Sequence, residues 1–149
     1  SDVYDVRVAL MRVAGETLAR RITDAQVETL SELVRRMDAA ESMNDGNAYF
    51  TLNVEFHDRI VDYTENDRLR AICDGLAKEL RLYRRRSLST GARIHASNRE
   101  HHEILNALAN RDPVRAAAAL EGHLLAAKER FFDAADTPAP ASDPERKKK

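Results

Sequence analysis

An all-α fold, an antiparallel bundle of six or seven helices, is what the sequence predicts, and three observations predict it. Apolar residues recur at spacings of three and four through six separate stretches, the period of one helical face. No stretch alternates apolar and polar residues convincingly enough to read as a strand. The breaks between stretches are short and polar, which favours antiparallel neighbours over long crossovers.

The elements follow in order. Val3 to about Arg20 carries Tyr4, Val8, Met11, Gly15 and Leu18 on one face, with Arg7 one turn before Met11. Thr23-Asp24-Ala25-Gln26 has the form of a capping box and opens a second helix whose apolar side is Val27, Leu30, Leu33, Val34 and Met37. Ser42 to Gly46 is turn chemistry and ends it. A third helix spans about Asn47 to Tyr63, and Thr64 to Asp67 is a short break. The fourth, about Asp67 to Ser87, repeats Leu69, Ile72, Cys73, Leu76, Leu80 and Tyr83. The fifth runs from about Ala92 to Asn110. Asp112-Pro113, an N-cap followed by proline at the first helical position, opens a sixth that reaches about Ala135. Residues 1–136 thus form one domain, and the Pro-, Ala- and charge-rich tail 137–149 is expected to be disordered.

Composition excludes several classes of function. The net charge of -1 gives no overall basic field to hold nucleic acid or an anionic membrane. Cys73 is the single cysteine, so no internal disulfide can form, which fits a reducing compartment such as the cytoplasm. No apolar run reaches membrane-spanning length and no signal-peptide pattern opens the chain. Glycine-rich phosphate loops are missing as well. The Arg81 to Arg86 cluster reads as surface charge complementing a helix C-terminus, with a phosphate patch as the alternative.

Three histidines break apolar stripes. His57 lies among Phe50, Val54, Ile60 and Val61, with Asn53 one turn before it; His101 lies among Ile94, Ser97, Ile104, Leu105 and Leu108. His123 lies among Leu120, Leu124, Ala127 and Phe131. A single histidine on an apolar face reads as a hydrogen-bonded core residue. Three on three helices, one with an amide at i-4, also read as a donor set for Zn, Ni, Cu or Fe, and spacing leaves both readings open. His102 points about 100° round the helix from His101 and reads as solvated, while His95 fits either role. Glu55, Asp58, Glu100 and Glu103 flank the histidines off their faces and read as solvated charges. That leaves no carboxylate to serve a metal-bound water as general base, which counts against a metal-dependent hydrolase.

Asn53-x-x-Phe56-His57, then Ser97-x-x-Glu100-His101-x-x-Ile104, then His123, together resemble the FCD domain, the effector-binding half of FadR-subfamily regulators of the GntR family. Asp5-Val6-Arg7, Ile22-Thr23-Asp24, Asn66 and Asp112 extend the likeness over nearly the whole chain up to the tail. The resemblance implies a helical bundle, a homodimer and a winged helix-turn-helix DNA-binding domain preceding Ser1. It places metal ligands at Asn53, His57, His101 and His123, holding a divalent transition metal, Zn or Ni, and a pocket arginine at Arg7. The function it implies is sensing of a small carboxylate or hydroxy-acid, chelated by the metal and paired with Arg7, to modulate DNA binding. A dimerisation-only module without metal is the other alternative, because Asn53 offers a neutral oxygen where an aspartate would offer a charge.

Overall fold

A computed structural model of the chain describes residues 2–88 and 90–136. The described residues form six α-helices: α1 (Asp2–Ala19), α2 (Asp24–Ser42), α3 (Gly46–Tyr63), α4 (Asp67–Ser87), α5 (Gly91–Ala109) and α6 (Pro113–Asp136). Every expected helix is present, with boundaries within about one residue of expectation. The expectation for 137–149 falls outside the described residues.

Local chemistry sets the ends. The Thr23 side chain accepts from the Gln26 backbone N–H while the Gln26 side chain accepts from the Thr23 N–H, so two otherwise orphaned donors are satisfied reciprocally. Asp45, Asn66, Thr90 and Asp112 cap α3 to α6 in the same sense, each accepting from the N–H three residues on. Three helices end on residues with left-handed backbone, Asn44, Glu65 and Arg111, with φ of 53°, 53° and 51°. At Asn44 and Arg111 the following N–H groups reach back to the carbonyls of Ala40 and Ala107, the Schellman arrangement. Asn44 therefore makes the turn after α2, and Gly46 begins α3.

Helix α6 is the central element, packing on α1, α5 and α4, while α2 lies against α3 and α5. The α1–α6 pair is antiparallel: Asp5 meets Lys128, Arg12 meets Glu121, and Gly15 lies against Ala116 and Leu120. A Cβ on Gly15 would stand 2.6 Å from Leu120 Cδ1 and 2.9 Å from the Ala116 carbonyl oxygen. Only glycine lets the two backbones approach this closely. The same crossing sense holds for α5–α6 and α2–α5, where Arg93 reaches the Arg130 carbonyl and His95 reaches Glu41.

Tyr4, Met11, Leu18, Leu30, Met37, Tyr49, Phe56, Ile60, Ile104, Leu108 and Leu120 fill the interior. Two stripes differ from expectation. On α3 the buried aromatics are Tyr49 and Phe56, whereas Phe50 and Val54 are half-buried, so the helix is turned by about one residue. On α4, which packs on α6 and to a lesser extent on α1 and α3, Leu69, Cys73 and Leu80 are buried but Ile72 is 49% exposed. The Arg85 guanidinium lies over the Phe50 ring, 4.4 Å from its centroid, a cation–π contact at the surface.

Candidate metal centre

The buried faces of α3, α5 and α6 each deliver one imidazole to the same point. His57, His101 and His123 are all buried, and their candidate ligand nitrogens lie within 4.8 Å of one another. The His57 and His123 rings stack at 5.0 Å with 8° between planes, and His101 meets His123 at 4.7 Å between centroids. His57 Nε2 and His123 Nε2 are hydrogen-bonded at 3.0 Å. Two nitrogens bound tetrahedrally to one zinc at about 2.05 Å stand about 3.3 Å apart, so the pair is within a few tenths of an ångström of ligand spacing.

The environment favours the neutral form of two of these rings, His101 and His123. Burial drives the His101 pKa well below 6.5, and His123 and Arg130 push it in the same direction. Burial also lowers His123, against the opposing pull of the Glu100 carboxylate. Neutral imidazole is the ligating form, so no proton has to leave these two rings before a cation is bound. The Tyr49 hydroxyl donates to Ser97 Oγ at 3.0 Å and sits 3.1 Å from His101 Nδ1, so it is placed to accept the Nδ1 proton. His101 Nε2 then faces inward as a lone pair, and it is buried with no hydrogen-bond partner among the described residues. A buried acceptor left in that state costs about 1–3 kcal/mol, which a cation at this point would recover. The donor set fits a divalent metal.

Asn53 and Arg7 are also buried, and both line a cavity of about 20 Å³ that His57, His123, Ser97 and Arg130 share. That is roughly the room one water needs. All five residues anticipated for the site, Arg7, Asn53, His57, His101 and His123, thus lie together. Tyr49, Glu100 and Arg130 complete the cluster and were not anticipated.

The solvated reading of Glu100 is corrected by the structure. Its side chain is only 21% exposed, and it accepts from His123 Nδ1 at 2.8 Å and from both Arg130 Nη groups at 2.8 and 2.9 Å. Burial alone would raise the Glu100 carboxyl, but the His123 and Arg130 hydrogen bonds outweigh it and hold the group below its ordinary range. Both oxygens are engaged, and among the described residues lining the cavity there is no carboxylate. His95 and His102 face outward and pair with Glu41 at 2.5 Å and Asp38 at 2.8 Å. Of the Arg81 to Arg86 cluster, Arg81 and Arg85 are exposed, which agrees with surface charge; the side chains of Arg84 and Arg86 lie outside the described residues.

Comparison with known proteins bears on the family and the fold. The sequence pattern of the FCD domain family matches residues 2–126. The solved structure of GntR from Streptococcus agalactiae superposes with a TM-score of 0.73 at 26% identity, over 86% of this chain and 57% of that one. McbR/YncC of E. coli superposes with a TM-score of 0.81 at 16% identity, over 89% of this chain and 67% of that one. This chain therefore spans little more than half of the first protein's length. No curated protein sequence matches it significantly.

Proposed function

The chain belongs to the FCD domain family, and on that premise we propose that it is the effector-sensing domain of a GntR-type transcription regulator, binding a small carboxylate or hydroxy-acid at a divalent metal, zinc or nickel. The observation that carries this reading is the meeting of three buried imidazoles, two of which, His57 and His123, line one small cavity with Asn53 and Arg7. His57, His101 and His123 would hold the cation, with the Asn53 carbonyl oxygen as a fourth, weaker donor. The bound cation would supply open coordination positions for carboxylate oxygens. Arg7 would take a second oxygen of the same anion in fork geometry.

Cavity size bears on how sensing would work. A space of about 20 Å³ has no room for an organic acid, so binding one requires the walls to move. Those walls include Tyr4 of α1 and Leu80 of α4. A ligand that binds only the opened arrangement shifts the population toward it, which is what a sensor requires. Helix α1 would join the winged helix-turn-helix domain expected to precede Ser1, so its displacement is the output we propose. The partner of the domain would be a second copy of itself. Exposed Val6 and Val13 on α1, and Leu125 and Phe132 on α6, are apolar surface that a homodimer would cover.

The test is calorimetric. Zinc or nickel is titrated into the metal-stripped chain and into His101→Ala, and a panel of small carboxylates into each loaded protein. The reading expects metal binding in the first protein, its loss in the variant, and carboxylate binding only where metal is present. Equal metal affinity in the two proteins overturns it.

A further inference from the structure

The three imidazoles are not held alike. His101 is oriented by a neutral pair of hydroxyls, Tyr49 and Ser97. His123 is instead held by a charged chain. Its Nδ1 lies 2.8 Å from Glu100 Oε1, and that carboxylate is gripped by the two Nη groups of Arg130 at 2.8 and 2.9 Å. The Arg130 side chain is 13% exposed, its Nε is buried without a hydrogen-bond partner among the described residues, and Arg93 donates to its backbone carbonyl at 2.7 Å. Glu100 is on α5 while His123 and Arg130 are two turns apart on α6, so the chain pins one helix to the other. A partly buried charged chain is weak evidence for stability in itself, since apolar groups of similar volume often serve packing as well.

An ionised carboxylate can only accept hydrogen bonds, so the proton between Glu100 and His123 belongs to Nδ1. A neutral imidazole protonated at Nδ1 carries its lone pair on Nε2, the atom that faces His57. We propose that Glu100, braced by Arg130, is a positioning residue that fixes the tautomer and ring direction of His123 so that Nε2 is presented as a metal donor. The inference rests on the metal-sensing reading above and adds a residue to it. Glu100 touches neither cation nor effector. It acts through His123, as outer carboxylates do when they orient and strengthen imidazole ligands.

The experiment reads the tautomer directly and the affinity separately. The nitrogen shifts of His123 are measured in the metal-free full chain of wild type, Glu100→Ala and Glu100→Gln, and zinc affinity is measured for each by calorimetry. In wild type His123 is a single Nδ1–H species. Glu100→Ala populates the Nε2–H form and binds zinc about 10- to 100-fold more weakly. Glu100→Gln keeps an acceptor oxygen and recovers part of both, and it carries the test should the alanine variant fail to fold. An unchanged His123 tautomer in both variants, with zinc affinity within threefold of wild type, overturns the proposal. A wild-type chain that binds no zinc would instead overturn the sensing reading, and the nitrogen shifts would still decide the role of Glu100.

Discussion

Leucine in place of His101 should leave the metal-free chain about as stable as wild type while abolishing its response to zinc. His101 is fully buried, and its Nε2 has no partner among the described residues. Removing a buried unsatisfied acceptor recovers about 1–3 kcal/mol. The variant loses the hydrogen bond to Tyr49, about 0.5–1.5 kcal/mol, although Tyr49 keeps its bond to Ser97. Fitting a leucine of similar volume against Phe56 and the other two rings costs up to about 1 kcal/mol. At their midpoints these terms sum to about +0.5 kcal/mol in favour of the variant, within a range of about −1.5 to +2.5 kcal/mol. Zinc at 100 times its Kd adds about 2.7 kcal/mol to wild type and nothing to the variant, so wild type becomes the more stable of the two. Urea unfolding followed by circular dichroism, with chelator and then with zinc, measures all four values. A loss above about 2 kcal/mol in chelator, or equal zinc increments in the two proteins, would refute the reasoning.

Other outcomes follow from the same structure. Gly15→Ala gains about 1 kcal/mol in helix propensity but drives a methyl into the Ala116 carbonyl, so a net loss of about 1–2 kcal/mol is expected on thermal unfolding. An unchanged or raised melting temperature would show that α1 and α6 separate without cost. Acid should destabilise the metal-free chain. His101 and His123 are held below 6.5 when folded and return to that value when unfolded, so the unfolded state binds more protons as pH falls through 6.5. Stability is greatest above that pH and falls by up to about 1.4 kcal/mol per unit per histidine below it. Urea midpoints between pH 7.5 and 5 measure the slope, and His101→Leu should roughly halve it. Asn53→Asp places a carboxylate in the buried cavity, weakening the metal-free fold while tightening zinc binding by on the order of tenfold, about 1.4 kcal/mol. Weaker binding in calorimetry would remove Asn53 from the donor set.

What could be read from the sequence was whatever depends on neighbours along the chain. The Thr23–Gln26 capping box and the Asp112-Pro113 start are complete within four residues, and both form as expected. The three inward histidines were legible because a period of 3.6 fixes which face a residue shares, whatever that face meets. Spacing did not fix their convergence, since it depends on how α3, α5 and α6 are rotated against each other; the resemblance to the FCD domain is what implied it. Tyr49 and Phe50 are adjacent aromatics, and sequence alone does not say which one turns inward. Glu100 was missed for a related reason. It stands one residue from the centre of the α5 stripe, on a flank that looks polar until α6 crosses it and brings Arg130 over. A signal was available: Glu100 lies three residues after buried Ser97, and a ligating His123 needs an acceptor for its second nitrogen.

X-ray absorption at the zinc edge, recorded on the zinc-loaded chain, bears most directly on whether His57, His101 and His123 form one metal centre. The account predicts an inner shell of about three imidazole nitrogens at about 2.0–2.1 Å, completed by oxygen. A shell of oxygen alone, or of oxygen with one imidazole as expected for zinc resting on the exposed His95–Glu41 or His102–Asp38 pairs, would contradict it.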